Sequence, residues 1–137
     1  MATYTKIFYL PQAEREVVWE AFLNEHAIES WTAHEAESDE RVGYDFKMNV
    51  DGQRIIGRNT SIDGVQKDHI EQEWQLVDRW EKPAQLSMRL YEVNDTTRMD
   101  LIIRSIPRRE DDEVRRVWAD HIIPRLSHYV QGKLNQR

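Results

Sequence analysis

Apolar and polar residues alternate along most of the chain between positions 44 and 104. Successive side chains of a β-strand point to opposite faces, so this alternation predicts half-buried antiparallel strands. Asp51-Gly52 and Asn94-Asp95 lie between alternating segments and predict turns, and Asp51-Gly52 is the strongest hairpin signal in the chain. The chain is therefore expected to form an antiparallel sheet with one apolar face, and that face needs a partner.

The expected partner is a long amphipathic helix predicted for residues 112–131. Acidic residues fill positions 110–113, where the helix dipole favours negative charge, and Asp111 is the candidate N-cap. Gly132 is the candidate C-terminal stop. Pro124 lies inside the helix and removes one hydrogen bond, so we expect a kink near His121. The apolar face, at a period of about 3.6 residues, consists of Val114, Trp118, Ile122, Leu126 and Tyr129.

The N-terminal part completes an α+β fold. Residues 3–10 are rich in β-branched and aromatic side chains and predict a strand, and two short helices follow at residues 14–23 and 25–31. The acidic stretch at residues 32–41 could bind a cation, but charge runs are usually solvated, which favours an edge strand and loop. We therefore expect one domain over residues 1–137, with a curved antiparallel sheet of six to seven strands wrapped on the C-terminal helix.

Composition excludes several classes of function. The net charge of −6 argues against non-specific nucleic-acid binding, which needs a basic surface. The absence of cysteine excludes disulfides, thiolate nucleophiles and cysteine metal sites. No apolar run approaches the roughly 18 residues of a membrane span, and the N-terminal residues lack the apolar segment of a signal peptide. We expect a cytoplasmic protein, either a monomer or a homodimer.

A twisted sheet that wraps one helix tends to leave a space between them, and this space is the candidate site for a small hydrophobic ligand. The candidate ligand-binding residues are those that the strand and helix periods turn inward. They are Phe46, Met48, Ile55, Asn59, Gln72, Trp74, Met88, Leu90, Leu101, Trp118, His121 and Ile122.

Several of these residues have two interpretations. Trp74 and Trp118 are either ordinary core aromatics or the wall of a cavity that stacks on an apolar ligand. Asn59, with Gln72 and Ser61, is an inward polar group that must find partners, which are either each other, water and the helix, or a ligand. His121 lies at the flank of the inward helical face and is either a partly exposed surface residue or a partner for a cavity group.

Recognisable catalytic and metal motifs are absent from the sequence. There is no Gly-x-Ser-x-Gly, no phosphate-binding loop and no His-Glu-x-x-His. His121 and His128 are two helical turns apart, a rise of roughly 10 Å, which is too far for one metal ion held from one helix. We expect no metal site, no cofactor and no catalytic residue.

The order of elements resembles the helix-grip fold of the START-like (SRPBCC, birch-pollen-allergen-like) superfamily. Within it the chain resembles the family named for the C-terminal domain of the activator of heat shock protein 90 ATPase. The residues that carry this resemblance are spread over nearly the whole chain: Val18-Trp19-Glu20-Ala21-Phe22, Ile28, Trp31, Gly43-Tyr44-Asp45-Phe46, Asp51-Gly52, Gly57, Ile70-Glu71-Gln72-Glu73-Trp74, Trp80, Thr96-Thr97, Met99-Asp100-Leu101, Ile106-Pro107, Val117-Trp118 and Tyr129.

Three functional hypotheses follow from the residues and the resemblance. The first is a non-enzymatic domain that binds a small hydrophobic ligand between sheet and helix, because an apolar site without an acid–base pair can hold a molecule but has little means of transforming it. The second is a co-chaperone or stress-response protein-interaction module, which the resemblance implies. The third is an enzyme of the cyclase or dehydratase type, as found elsewhere in the superfamily.

Overall fold

Six antiparallel strands form one open sheet in the order β1-β6-β5-β4-β3-β2. The computed structural model describes residues 1–77 and 80–135. The strands are β1 (Ala2–Pro11), β2 (Asp45–Val50), β3 (Gln53–Ile62), β4 (His69–Leu76), β5 (Ala84–Val93) and β6 (Thr96–Ile106). The sequence predicted six to seven strands, and the sheet has six in the described part of the chain. The acidic stretch contributes only a single bridge, between Glu37 and Lys47 of β2.

Two-residue turns join two of the strand pairs, as the sequence predicted. Asp51 and Gly52 have φ values of 53° and 84°, and the flanking Val50 and Gln53 pair directly. Positive φ at both central residues is the type I′ geometry, which matches the natural twist of paired strands. Asn94, with φ of 56°, begins the corresponding turn between β5 and β6.

Gly57 is placed where no side chain fits. It pairs with Phe46 on β2 and with Trp74 on β4. A Cβ atom at Gly57 would collide with the Glu73 carbonyl oxygen and would lie 2.5 Å from Phe46 Cζ. The glycine therefore lets the Phe46 ring and the Glu73 carbonyl group lie close against the backbone of β3.

Two short helices follow β1, in the places predicted. They are α1 (Arg15–Ala21) and α2 (Glu25–Thr32). Asn24 caps α2, because its side-chain oxygen accepts a hydrogen bond from the Ala27 N–H at 3.0 Å. Ala33 ends α2 in the left-handed conformation, with φ of 62°.

The C-terminal helix comprises three consecutive segments: α3 (Asp111–Arg116), a π-helical segment (Val117–Ile122) and α4 (Ile123–Asn135). Two predicted boundaries are wrong. Glu110 rather than Asp111 is the N-cap residue, and it makes no side-chain cap bond. Gly132 does not stop the helix, because α4 continues through it to Asn135.

The π-helical segment lies where Pro124 was expected to disturb the helix. The Ile123 N–H donates to the Trp118 carbonyl oxygen five residues earlier, which is the wide π turn. Pro124 has no N–H to offer the preceding turn, so an α-helical ladder cannot continue unbroken through it.

This segment also decides which helical residues face the sheet. In an α-helix, side chains four positions apart differ by about 40° in direction around the helix axis. The wider π turn rotates less per residue and so offsets this drift. Val130 is therefore buried on the inner face, whereas Tyr129, which was predicted there, is only partly buried. The buried positions at intervals of four are Val114, Trp118, Ile122, Leu126 and Val130.

Candidate binding site

Five aromatic rings form a continuous row beneath the C-terminal helix. Trp118, in the π-helical segment, lies 5.9 Å from Phe22 and 6.1 Å from Trp74 on β4, measured between ring centroids. Trp74 continues the row to Trp80 at 5.8 Å, and Phe22 continues it to Trp31 on α2 at 6.0 Å. The two outer contacts are edge-to-face, an arrangement that stabilises aromatic pairs beyond simple burial. This aromatic row joins the sheet, the helix and the α1–α2 region.

The indole N–H groups in this region differ in their partners. Trp31 Nε1 donates to the Ala21 carbonyl oxygen at 2.7 Å. Within the described residues, the buried Nε1 atoms of Trp118, Trp80 and Trp19 have no hydrogen-bond acceptor. A buried donor without a partner costs roughly 1–3 kcal/mol. Trp118 therefore presents an unused donor in the middle of the aromatic row.

The two inward amides, Asn59 and Gln72, pair with each other, as in the interpretation that gave them partners within the protein. Gln72 Nε2 donates to Asn59 Oδ1 at 3.0 Å, and Asn59 Nδ2 donates to the Asp39 carbonyl oxygen at 2.9 Å. The backbone of Asn59 also bonds to the segment before β2, because its carbonyl oxygen accepts from the Gly43 N–H at 2.8 Å. These amides fasten the acidic loop to β3. Ser61, the third polar candidate, is half-buried.

His121 lies near the surface, in a group of charges that we call the charged clasp: Asp51, His121 and Arg125. Asp51 is at the tip of the β2–β3 hairpin, and its Oδ2 atom is 2.9 Å from His121 Nδ1. Arg125 Nε donates to Asp51 Oδ1 at 2.6 Å. The hydrogen bond from His121, together with the bond from Arg125, lowers the pKa of Asp51 despite some desolvation. The clasp thus ties the hairpin tip to the C-terminal helix.

The other eleven candidate residues are all buried, with exposed fractions of 7 % or less. The structure brings the nine apolar ones together in one core between the sheet and the helix. Met48 and Ile55 also border a shallow depression beside Arg54 and Val77. Whether these residues contact a ligand stays a prediction.

A groove between α2 and α4 was not predicted. It has a volume of about 650 Å³, it is open to solvent, and none of the twelve candidates lines it. Trp31, which ends the aromatic row, forms part of its wall. Arg125 and His128 lie one turn apart on α4 in this groove. The sequence shows this spacing, but it does not show that α2 lies opposite and forms the other wall. The lining residues are Ser30, Trp31, Pro124, Arg125, His128, Tyr129 and Gly132.

One serine–histidine–glutamate cluster lies on the opposite, outer face of the sheet. His69 Nε2 is 3.5 Å from Ser87 Oγ and 3.4 Å from Glu71 Oε1. A catalytic relay needs the nucleophile and the acid on opposite ring nitrogens. Because both partners face the same nitrogen, this cluster does not form a triad.

The described residues contain neither a metal-binding cluster nor a helix that could span a membrane. No group of three or more His, Asp or Glu side chains in residues 1–77 and 80–135 is placed to hold a metal ion. Across that same part of the chain, none of the helices combines the length and apolarity required to cross a bilayer.

Comparison with known proteins identifies relatives of this fold. The sequence model of the family described as activator of Hsp90 ATPase homolog 1-like protein matches residues 12–131. Among curated proteins, none is significantly similar to this chain in sequence.

Many solved structures share the fold at low identity, and three of them follow. The Aha1 protein of Colwellia psychrerythraea, solved as a dimer, has a TM-score of 0.75 at 15% identity, covering 96% of this chain and 97% of its own. PFC0360w, an HSP90 activator from Plasmodium falciparum, has a TM-score of 0.70 at 17% identity, covering 89% and 91%. CV1439 from Chromobacterium violaceum has a TM-score of 0.71 at 20% identity, covering 93% and 96%.

Proposed function

This chain belongs to the activator of Hsp90 ATPase homolog 1-like family, with its helix-grip fold, and on that premise we propose that it is a non-enzymatic binding domain for a small amphipathic molecule. The molecule lies between the sheet and the C-terminal helix, with its apolar part against the aromatic row. One of its oxygen atoms accepts the hydrogen bond that Trp118 Nε1 leaves unused. This unpaired buried donor is the observation that carries the proposal.

The interior around Trp118 suits such a ligand. The buried polar side chains Thr32, Asn59, Gln72 and Thr97 all have hydrogen-bond partners and the rest of the core is hydrophobic, so Trp118 Nε1 would fix the orientation of a molecule bound beside it. Met48, Met88 and Met99 belong to the same core. Methionine side chains are flexible and repack readily, so these three can make room at modest cost.

The groove between α2 and α4 provides the entrance in this proposal. Trp31 belongs both to the groove and to the aromatic row, so a rotation of one ring would connect the two. Arg125 and His128 stand at the groove and favour an anionic or strongly polar end on the ligand. The ligand class is therefore an apolar body with a carboxylate or carbonyl end.

Tryptophan fluorescence tests the proposal. The protein is titrated with medium-chain fatty acids, aromatic carboxylates and their methyl esters. We expect at least one to change the emission, and Trp118→Phe, which keeps an aromatic ring and removes the donor, to weaken binding by about tenfold. Trp19→Phe is the matched control, because it removes an equally unpaired indole outside the row. The proposal fails if no compound changes the emission, or if both variants bind as the parent does.

A second candidate is a protein-interaction module that acts on a chaperone. The family name and the whole-chain likeness to an HSP90 activator support it. Its test is the ATPase rate of the Hsp90 homologue from the same organism, with and without this protein. An unchanged rate, together with no complex in size-exclusion chromatography, would remove this candidate. The cyclase-type hypothesis loses support, because Asn59 and Gln72 are occupied with each other and with Asp39.

A further inference from the structure

The two edges of the sheet differ in how far they are covered. β2 is bridged on its open side by Glu37, whose N–H donates to the Lys47 carbonyl oxygen at 3.0 Å while Lys47 N–H donates back at 2.8 Å. β1 pairs with β6 only, and none of its backbone groups bonds to any other described segment. About half of the N–H and C=O groups of β1 therefore point outward from the sheet without a strand partner.

The inner side of this open edge carries unpaired positive charge. Lys6 is exposed on the face that holds the buried Tyr4 and Phe8. Arg115 of α3 lies over the Tyr4 ring, with its guanidinium carbon 5.1 Å from the centroid. Neither Lys6 nor Arg115 forms an ion pair with a carboxylate among the described residues, although the chain carries a net charge of −6. The two cations flank one buried tyrosine at the rim of the sheet.

The outer side of the same edge is apolar. Ile7 is 44% exposed and Tyr9 is 61% exposed. On the neighbouring strand β6, Tyr9 pairs with Arg98 and Ile7 pairs with Asp100, and these two charged residues bond to each other, so the apolar outer surface is confined to the edge strand. A strand added to β1 would place its side chains alternately beside the cations and beside this surface.

We propose that the open edge of β1 is a docking site for an extended segment of a partner protein in which acidic and apolar residues alternate. Main-chain hydrogen bonds to β1 supply the affinity, and the two faces of the added strand supply the selectivity. The acidic residues lie beside Lys6 and Arg115, and the apolar residues lie beside Ile7 and Tyr9. A second copy of this chain fits the edge poorly, because it would bring another Lys6 and Arg115 to the same face.

The probe is a capped octapeptide of alternating valine and glutamate, with the valine–lysine peptide as its charge-reversed counterpart. We expect the glutamate peptide to slow hydrogen exchange of alternate β1 amides, as measured by NMR, and to bind more weakly as salt is raised. Lys6→Glu should weaken that binding by at least about tenfold and create binding of the lysine peptide.

Lys47→Glu is the matched control. It makes the same change of charge at the other edge, where Glu37 already bridges the strand and its carboxylate lies 3.8 Å from Lys47 Nζ. We expect it to leave the affinity for the glutamate peptide within about twofold of the parent.

Three results would overturn the proposal. The first is no binding of the glutamate peptide, or binding without protection of β1. The second is an equal loss of affinity in Lys6→Glu and Lys47→Glu, which would reduce the effect to net charge. The third is protection of the β1 amides that rises with protein concentration in the absence of peptide, which would make a second copy the occupant.

Discussion

The aromatic row and the charged clasp attach the same helix to the same sheet by opposite means. The row is buried and uncharged, and its central Trp118 is 1% exposed. The side chains of Asp51, His121 and Arg125 in the clasp keep 29%, 27% and 39% of their surface exposed. Buried apolar contacts carry no charge that pH can titrate or salt can screen, whereas exposed charge pairs contribute little and depend on both pH and salt. The comparison indicates that the row supplies the stability of the attachment and the clasp fixes where the hairpin tip lies.

The largest effect is expected in the row. Trp74→Ala removes a buried ring that contacts Trp80 and Trp118, and should lower the free energy of unfolding by about 3–5 kcal/mol. Urea denaturation followed by circular dichroism measures it. Tyr9→Ala is the control, because it removes an exposed aromatic ring and should change stability by less than about 0.5 kcal/mol. Equal losses in the two variants would contradict the role assigned to the row.

An intermediate effect is expected where buried polar groups pair. Asn59→Ala leaves Gln72 Nε2 and the Asp39 carbonyl oxygen without their partner, so we expect the free energy of unfolding to fall by about 1–3 kcal/mol. Hydrogen exchange should also speed up in residues 39–44. Gln85→Ala removes an exposed amide from the outer face of β5 and serves as control. A change no larger than that of the control would show that the pair is dispensable.

The smallest effect is expected in the clasp. Asp51→Asn removes the charge but keeps a residue that readily adopts the left-handed turn conformation. The free energy of unfolding at neutral pH should therefore fall by less than about 1 kcal/mol. The pKa of Asp51 is lowered in the folded protein, so its contribution is present above the ordinary aspartate pKa of about 3.9 and disappears as pH falls through the lowered value.

Stability curves of the parent and Asp51→Asn should therefore converge at acid pH and in high salt. Asp95→Asn changes the corresponding charge in the β5–β6 turn, where Asp95 has no ion pair among the described residues, and is the matched control. If the parent and Asp51→Asn still differed in their free energy of unfolding at low pH, the effect would not come from the charge of the Asp51 carboxylate.

Local patterns predicted most of the fold, because they depend only on near neighbours in the chain. The period-two alternation placed Phe46, Trp74 and Leu101 on the buried face, and Asp51-Gly52 forms the expected hairpin turn. Burial of the nine candidate residues on strands followed from this rule, and burial of Trp118 and Ile122 followed from the helical period. Whether these residues bind a ligand does not follow, since core packing and a cavity wall use the same side chains.

Contacts that join distant parts of the chain could not be predicted in this way. Asp51 is 70 residues from His121 and 74 from Arg125, so nothing in the local sequence relates them. The groove depends on the placement of α2 against α4. Tyr129 was predicted on the inner face but is only partly buried, with Val130 in the fully buried position, because a constant period of 3.6 residues was assumed through a segment that is π-helical.

The π-helical segment sets the rotational phase between the two halves of the C-terminal helix. If residues 117–122 were wound as an α-helix with no change in their number, the second half of the helix would turn by about 100° relative to the first, because the wide π turn takes up about one extra residue. Leu126 and Val130 would then leave the core while Val114 stayed in it, and Arg125 would swing away from Asp51. The π turn thus lets the C-terminal helix keep its apolar contacts with the core and the hydrogen bond from Arg125 to Asp51 at the same time.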